Sequence, residues 1–120
     1  MSTLDLERAS IEELIREYEL SASSHGRALA AGDHRSANRA HDRLARTYRE
    51  LRSRSATSHL LPLLKSEDEN VRVWVGAHAL EFAPEQGEPV LLGLMTRPGL
   101  LRLQAEYTLK AWREGTLKFP

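Results

Sequence analysis

The stretch Val71-Arg72-Val73-Trp74-Val75-Gly76-Ala77-His78-Ala79-Leu80 decides the fold, together with the apolar run Leu60-Leu61-Pro62-Leu63-Leu64 just before it. The longer stretch is apolar nearly all the way round a helical wheel. This is typical of a helix that is packed on several sides. The sequence therefore predicts a buried helix here, preceded by a short leucine-rich one.

The same pattern returns thirty residues further along the chain, without a gap. Leu61 recurs as Leu91, and Arg72 recurs as Arg102. The other matches are Leu64 with Leu94, Ser66 with Thr96, Val71 with Leu101, and Val75 with Ala105. A fixed period with two helices per unit is the signature of a helical repeat array. We expect two such units, over residues 59–83 and 88–115.

Two longer helices are predicted before the repeat. Ser10-Ile11-Glu12-Glu13 fits a capping box, which starts a helix over residues 11–31. Gly32-Asp33 ends that helix and caps the next one, over residues 34–54. Because the link is so short, we expect the two helices to run antiparallel as a hairpin, residues 10–54.

The remaining boundaries follow from proline and glycine. Pro84 should end the buried helix near Phe82-Ala83, since the residue before a proline avoids helical geometry. Glu88-Pro89 is expected to open the next helix, and the last should run over residues 100–114. The tail, residues 116–120, is expected to fold back on the core. The whole chain, 1–120, is thus predicted as one all-α domain of about six helices in three stacked antiparallel pairs.

The repeat resembles the HEAT-like pattern in its leucine-rich first helix, the acid Asp68 in the turn, and the pair Val71-Arg72 at the start of the second helix. More narrowly, the whole chain is similar to a family of short bacterial single-domain HEAT-like proteins of unknown function. The resemblance implies an α-α superhelix, and a bond along the stack between Asp68 and Arg72. In the second copy Pro98 replaces the acid, so Arg102 should have another partner.

Composition excludes several classes of protein. The chain has no cysteine, which rules out disulfide scaffolds, cysteine-ligated zinc and cysteine nucleophiles. Residues 1–7 carry acids, and they contain neither a basic segment nor a long apolar run. We therefore expect no secretory signal. No apolar segment approaches the roughly 20 residues that a membrane span needs. We therefore expect a cytoplasmic protein that does not enter membranes.

Candidate catalytic residues do not form a recognisable set. No two of the five histidines stand three or four residues apart beside a carboxylate, which is the spacing of helical metal sites. His25 and His41 fall on predicted buried faces, where a hydrogen-bonded core histidine is the commoner case. The acids Glu12-Glu13 and Glu67-Asp68-Glu69 are explained by their places at helix starts. We predict no enzyme activity, no metal site and no cofactor.

The second helix carries the feature that departs most from an ordinary solvated surface. Taking about 100° per residue, five arginines fall in an arc of roughly 120° opposite the apolar face. They are Arg35, Arg39, Arg43, Arg46 and Arg49. Such a row can be a solvated face that keeps the protein soluble. It can also be a binding surface, because the planar guanidinium suits paired contacts with carboxylate or phosphate.

Two functional hypotheses follow for this row, defined by those five arginines. The first is a protein-interaction module, of an immunity or regulatory type, that binds a bacterial partner protein. Repeat proteins commonly work through extended surfaces, and the charges here are segregated along the chain. The alternative is binding of nucleic acid or another anion. Zero formal net charge and few aromatic residues argue against strong nucleic-acid binding.

Overall fold

The computed structural model describes residues 4–120, which hold six helices and no strand. The predicted all-α class is therefore confirmed. The α-helices are α1 (Ile11–Ala30), α2 (His34–Ser53), α3 (Glu69–Phe82), α4 (Pro84–Leu94) and α5 (Leu100–Arg113), with a 3-10 helix at Thr57–Lys65. Residues 1–3, which entered the argument about a secretory signal, lie outside the described residues. No helix within 4–120 has both the length and the apolar character needed to cross a membrane.

Residues 4–59 form a compact unit in which α1 and α2 pack along each other. The predicted capping box is present: Ser10 Oγ accepts the Glu13 N–H at 3.1 Å, and Glu13 Oε1 accepts the Ser10 N–H at 2.9 Å. Gly32 takes a φ of 71°, which lets the chain reverse, and the Asp33 carboxylate caps α2. The predicted hairpin and its turn are confirmed.

The core of this first unit lies between the two helices. Its fully buried side chains are Leu14, Tyr18 and Ala22 from α1, and Leu44, Tyr48 and Leu51 from α2. Burial, and then the neighbouring Tyr48, raise the pKa of Tyr18 well above its ordinary value. Tyr18 is therefore a neutral core residue at physiological pH, and Tyr48 is fully buried as well.

The second unit, Leu60–Phe119, contains the two copies of the repeat. Its core draws on both copies and consists of Val73, Leu80, Leu91, Leu94, Ala105 and Leu109. Leu117 and Phe119 of the tail pack against this cluster, so the predicted fold-back is confirmed. Side chains from both of the predicted repeat units thus share one core.

The leucine-rich helix differs from the prediction in its type, and α4 differs in where it begins. The leucine-rich segment forms a 3-10 helix, Thr57–Lys65, with Pro62 inside it. α4 begins at Pro84, four residues before the predicted start at Glu88-Pro89. Pro84 occupies the first helical position, where its missing N–H costs nothing, so α4 follows α3 almost directly. Pro89 lies inside the helix with its ring exposed.

α3 and α4 approach closely at a pair of glycines. A Cβ atom built on Gly87 would lie 2.6 Å from the Gly76 carbonyl oxygen and 3.0 Å from Ala79 Cβ. A Cβ on Gly76 would lie 3.2 Å from the Leu91 side chain. Gly87 therefore has a packing role: the helix contact leaves no room for a side chain at this position.

Candidate functional site

Four arginines of the row point away from the core of the first unit. α2 buries Ala37, Leu44, Thr47, Tyr48 and Leu51, and the row lies on the other side of the helix. Arg35, Arg39, Arg46 and Arg49 are exposed. Helical periodicity predicted this placement correctly; what the row binds stays a prediction.

Arg43 does not follow the other four. Its side chain is only 15% exposed, its Nε lies 2.6 Å from Glu17 Oε1 of α1, and its Nη2 donates to the Leu4 carbonyl oxygen at 2.7 Å. The reason is its position at the edge of the arc. It stands about 40° round the helix from the fully buried Thr47. The prediction that this arginine faces solvent with the rest is wrong: it joins α2 to α1 and to the N-terminal residues.

Three guanidiniums of the row have no partner within the described part of the chain. Arg35, Arg46 and Arg49 make no hydrogen bond or ion pair there, while Arg39 donates to Ser36 Oγ at 3.0 Å. Asp42 is exposed on the same side of α2 and is not ion-paired with them. The guanidiniums of the row can therefore donate hydrogen bonds to carboxylates or phosphates.

An open cleft of about 480 Å³ lies beside two of these free arginines. Its lining combines α2 with residues that precede α1: Leu4, Asp5, Leu6, Glu7, Arg43, Arg46, Arg49, Glu50 and Ser53. Cations and carboxylates thus share one cavity. The cleft lies between two arginines of the row, Arg46 and Arg49, and the stretch that precedes α1. We call this stretch, residues 4–9, the N-terminal segment.

Arg54, which ends α2, holds the N-terminal segment in place. Its Nη1 donates to the Ala9 carbonyl at 2.6 Å, and its Nη2 donates to the carbonyls of Leu6 and Glu7 at 2.9 and 3.0 Å. Its Nε pairs with Glu50 Oε2 at 2.8 Å. Nothing in the sequence pointed to this role, because the partners are main-chain carbonyls of a segment without helical periodicity.

The two histidines that were predicted to be buried meet between α1 and α2. His25 is buried, with 8% exposure, but His41 is exposed, which corrects its predicted place on the core face. Their ring centroids are 6.1 Å apart. Burial, and then the charge of His41, lower the pKa of His25. No cluster of three or more metal-ligating side chains occurs among residues 4–120.

The depressed pKa of His25 makes stability depend on mild acid. Its folded pKa lies below the ordinary value of about 6.5, so the stabilisation is fully present above that pH and is lost as pH falls through the folded pKa. We expect the free energy of unfolding, measured with urea, to fall between pH 7.5 and 5.5. The His25→Gln variant should show a smaller fall. An equal fall in both proteins would contradict this, since the carboxylate caps Glu13 and Asp33 titrate at lower pH.

The residues matched to the HEAT-like pattern make other bonds than the resemblance implies. Asp68 caps α3 by accepting the Asn70 N–H at 2.9 Å. Arg72 donates to the Ser66 carbonyl at 2.6 Å and lies 3.6 Å from Glu69. The implied side-chain bond between Asp68 and Arg72 is not formed in the described part of the chain, where only the main-chain Arg72 N–H donates to the Asp68 carbonyl, at 3.1 Å. Arg102 has a different partner, as expected: it lies 3.7 Å from Glu106 on its own helix.

A second surface feature lies in the second unit. Leu100, Leu103 and Tyr107 follow one another at helical spacing on α5 and are 52%, 60% and 74% exposed. Tyr107 borders a small groove of about 230 Å³ with Trp74, which is only partly buried. The helical periodicity of α5 places these three exposed side chains on one face.

Comparisons with known proteins bear on the fold. No family model matches the chain, and no curated protein matches it. The chain is similar to the crystal structure of the protein RPA1889 from Rhodopseudomonas palustris CGA009, with a TM-score of 0.89 at 21% sequence identity. The match covers 98% of this chain and 100% of the other. At this level of identity the likeness shows that the two proteins share an all-α fold, and it shows the fold alone.

Proposed function

We propose that the protein is a non-catalytic HEAT-like interaction module that binds an acidic surface of a partner protein through the arginine row. The repeat of two helices at a thirty-residue spacing supports the HEAT-like reading. The observation that carries the binding proposal is the set of free guanidiniums on Arg35, Arg46 and Arg49. Arginines without a partner of their own retain their full capacity for paired contacts with carboxylates.

The two helices around the row are held in place. α1 and α2 are tied by Arg43 and Glu17, and both helices are capped, so the row stands on a fixed surface. A partner that meets a pre-formed helix loses less backbone entropy on binding. We place this activity in the bacterial cytoplasm, in an immunity or regulatory role in which a small module masks a larger partner.

A comparison of charge-reversed baits tests the proposal. One bait changes Arg35, Arg39, Arg46 and Arg49 to Glu. The control bait changes four exposed cations outside the row to Glu: Arg16, Arg27, Lys110 and Lys118. A partner captured from the native host by the wild-type protein should be depleted at least about tenfold on the first bait and retained on the control. Purified partner that binds both baits with equal affinity would overturn the proposal.

Nucleic acid remains the second candidate, favoured by the same free guanidiniums. Here we expect affinity for a labelled duplex to fall steeply with salt, because phosphate contacts release counterions. Asp42 on the same helix face and the burial of Tyr48 disfavour this reading, since single-stranded binders usually expose aromatic side chains for stacking. Unchanged mobility of duplex DNA and RNA at low salt would exclude it.

A further inference from the structure

The N-terminal segment, residues 4–9, lies against α2 through its main chain. The Arg43 guanidinium donates to the Leu4 carbonyl, and Arg54 donates to the carbonyls of Leu6, Glu7 and Ala9. Every peptide offers such carbonyl oxygens, each with two lone pairs. The contact therefore depends little on which side chains the segment carries.

Each of these two arginines is also held by a carboxylate outside the segment. Arg43 is fixed by Glu17 at 2.6 Å and Arg54 by Glu50 at 2.8 Å. Each guanidinium is thus held with its free N–H groups directed at a carbonyl. Because a carboxylate already offsets its charge, each suits a neutral carbonyl better than a phosphate. This favours a peptide over a nucleic acid as the occupant of this surface.

The acids of the segment stand beside the free arginines without pairing to them. Asp5 and Glu7 line the same cleft as Arg46 and Arg49, yet no ion pair within 4 Å joins them in the described chain. Asp5 Oδ1 instead accepts the Glu7 N–H at 3.1 Å, and Asp5 Oδ2 lies 3.7 Å from Arg8 Nε. The cleft, of about 480 Å³, leaves space for carboxylates of another chain to reach both guanidiniums.

The segment has only modest apolar anchoring. Ala9 is buried and Leu4 and Leu6 are half-buried, while Asp5 and Glu7 are exposed. Burying an apolar side chain completely contributes at most about 3 kcal/mol, and partial burial contributes less. An incoming chain with more carboxylates can therefore displace the segment.

We propose that the partner presents an acidic peptide segment that replaces residues 4–9 on α2. This inference rests on the proposed function. Arg43 and Arg54 bind its main-chain carbonyls, and Arg46 and Arg49 bind its carboxylates. The N-terminal segment competes for the same place, and its two acids, Asp5 and Glu7, weaken binding by repelling the incoming carboxylates.

Binding of a fluorescein-labelled decaglutamate peptide, followed by anisotropy at low salt, tests this competition. We compare the wild-type protein with Asp5→Asn/Glu7→Gln, in which Asn keeps the turn acceptor. The control, Glu85→Gln/Glu114→Gln, makes the same charge change at exposed acids that do not line the cleft. The first variant should bind about three- to fivefold tighter than the control, because two like charges near the site are removed. Equal affinities would overturn the inference.

Hydrogen exchange tests displacement of the segment directly, because a change in charge alone does not expose the segment's amides to solvent. The amides of Glu7, Arg8 and Ala9 are hydrogen-bonded within the segment. They should exchange faster when decaglutamate is bound, while the amides of α2 do not. Unchanged or slower exchange at these amides in the bound protein would overturn displacement.

The outcomes separate this inference from the proposed function. If decaglutamate binds, and Arg46→Gln/Arg49→Gln abolishes binding, but the segment variant matches its control, the row binds acidic ligands and the competition is refuted. If neither the wild-type protein nor the segment variant binds decaglutamate, the peptide mode is refuted. The charge-reversed baits then still decide whether the row binds a folded acidic surface.

Discussion

Replacement of Gly87 by alanine is expected to lower the free energy of unfolding by about 3 kcal/mol. The added Cβ would lie 2.6 Å from the Gly76 carbonyl oxygen, closer than such atoms approach in proteins. The clash is with main chain, so no side-chain rotation relieves it. α3 and α4 must separate, which loosens the core around Leu91 and Leu94.

Gly93→Ala is the matched control, since Gly93 lies in the same helix and a Cβ there meets nothing within 4 Å. Alanine should raise stability by about 0.5–1 kcal/mol at this position, because glycine is a poor helix former. Urea unfolding followed by circular dichroism measures both variants. Changes of the same sign in the two variants would show that helix propensity, and not the close approach, decides the effect.

The boundaries of the first hairpin could be predicted because their signals are local. Ser10 and Glu13 bond within one turn, and Gly32 with Asp33 ends one helix and caps the next. The start of α4 was missed because Pro84 and Pro89 both suit a first helical position, and sequence alone does not choose between them. No local pattern pointed to Gly87, which lies before the predicted start of that helix. Its role depends on where Gly76 lies in space.

The candidate site likewise has features that could be predicted from the sequence and features that could not. The exposure of Arg35, Arg39, Arg46 and Arg49 follows from helical periodicity, which is a property of α2 itself. The partners of Arg43 stand 26 and 39 residues away in the chain, so no local pattern contains them. Contacts of this kind depend on tertiary packing, which decides whether an arginine bonds to distant parts of the chain or stays without a partner in it.

This difference in partners predicts that substitution of Arg43 lowers the stability of the protein, whereas substitution of Arg46 hardly changes it. Arg43→Gln should lower the free energy of unfolding by about 1–2 kcal/mol, because it leaves Glu17 and the Leu4 carbonyl without their donor. The side chains of the pair are 15% and 23% exposed, so solvent screens them less than a surface pair. Arg46→Gln, at an exposed arginine without a partner, should change stability by less than about 0.5 kcal/mol.

A double-mutant cycle with Glu17→Gln isolates the contact. Because Arg43 and Glu17 bond directly, the double variant should be more stable than the sum of the single effects predicts, by about 1 kcal/mol. The cycle of Arg46 with Glu17 should be additive, since no contact joins them. Additive behaviour in both cycles would mean that Arg43 is as free as the rest of the row.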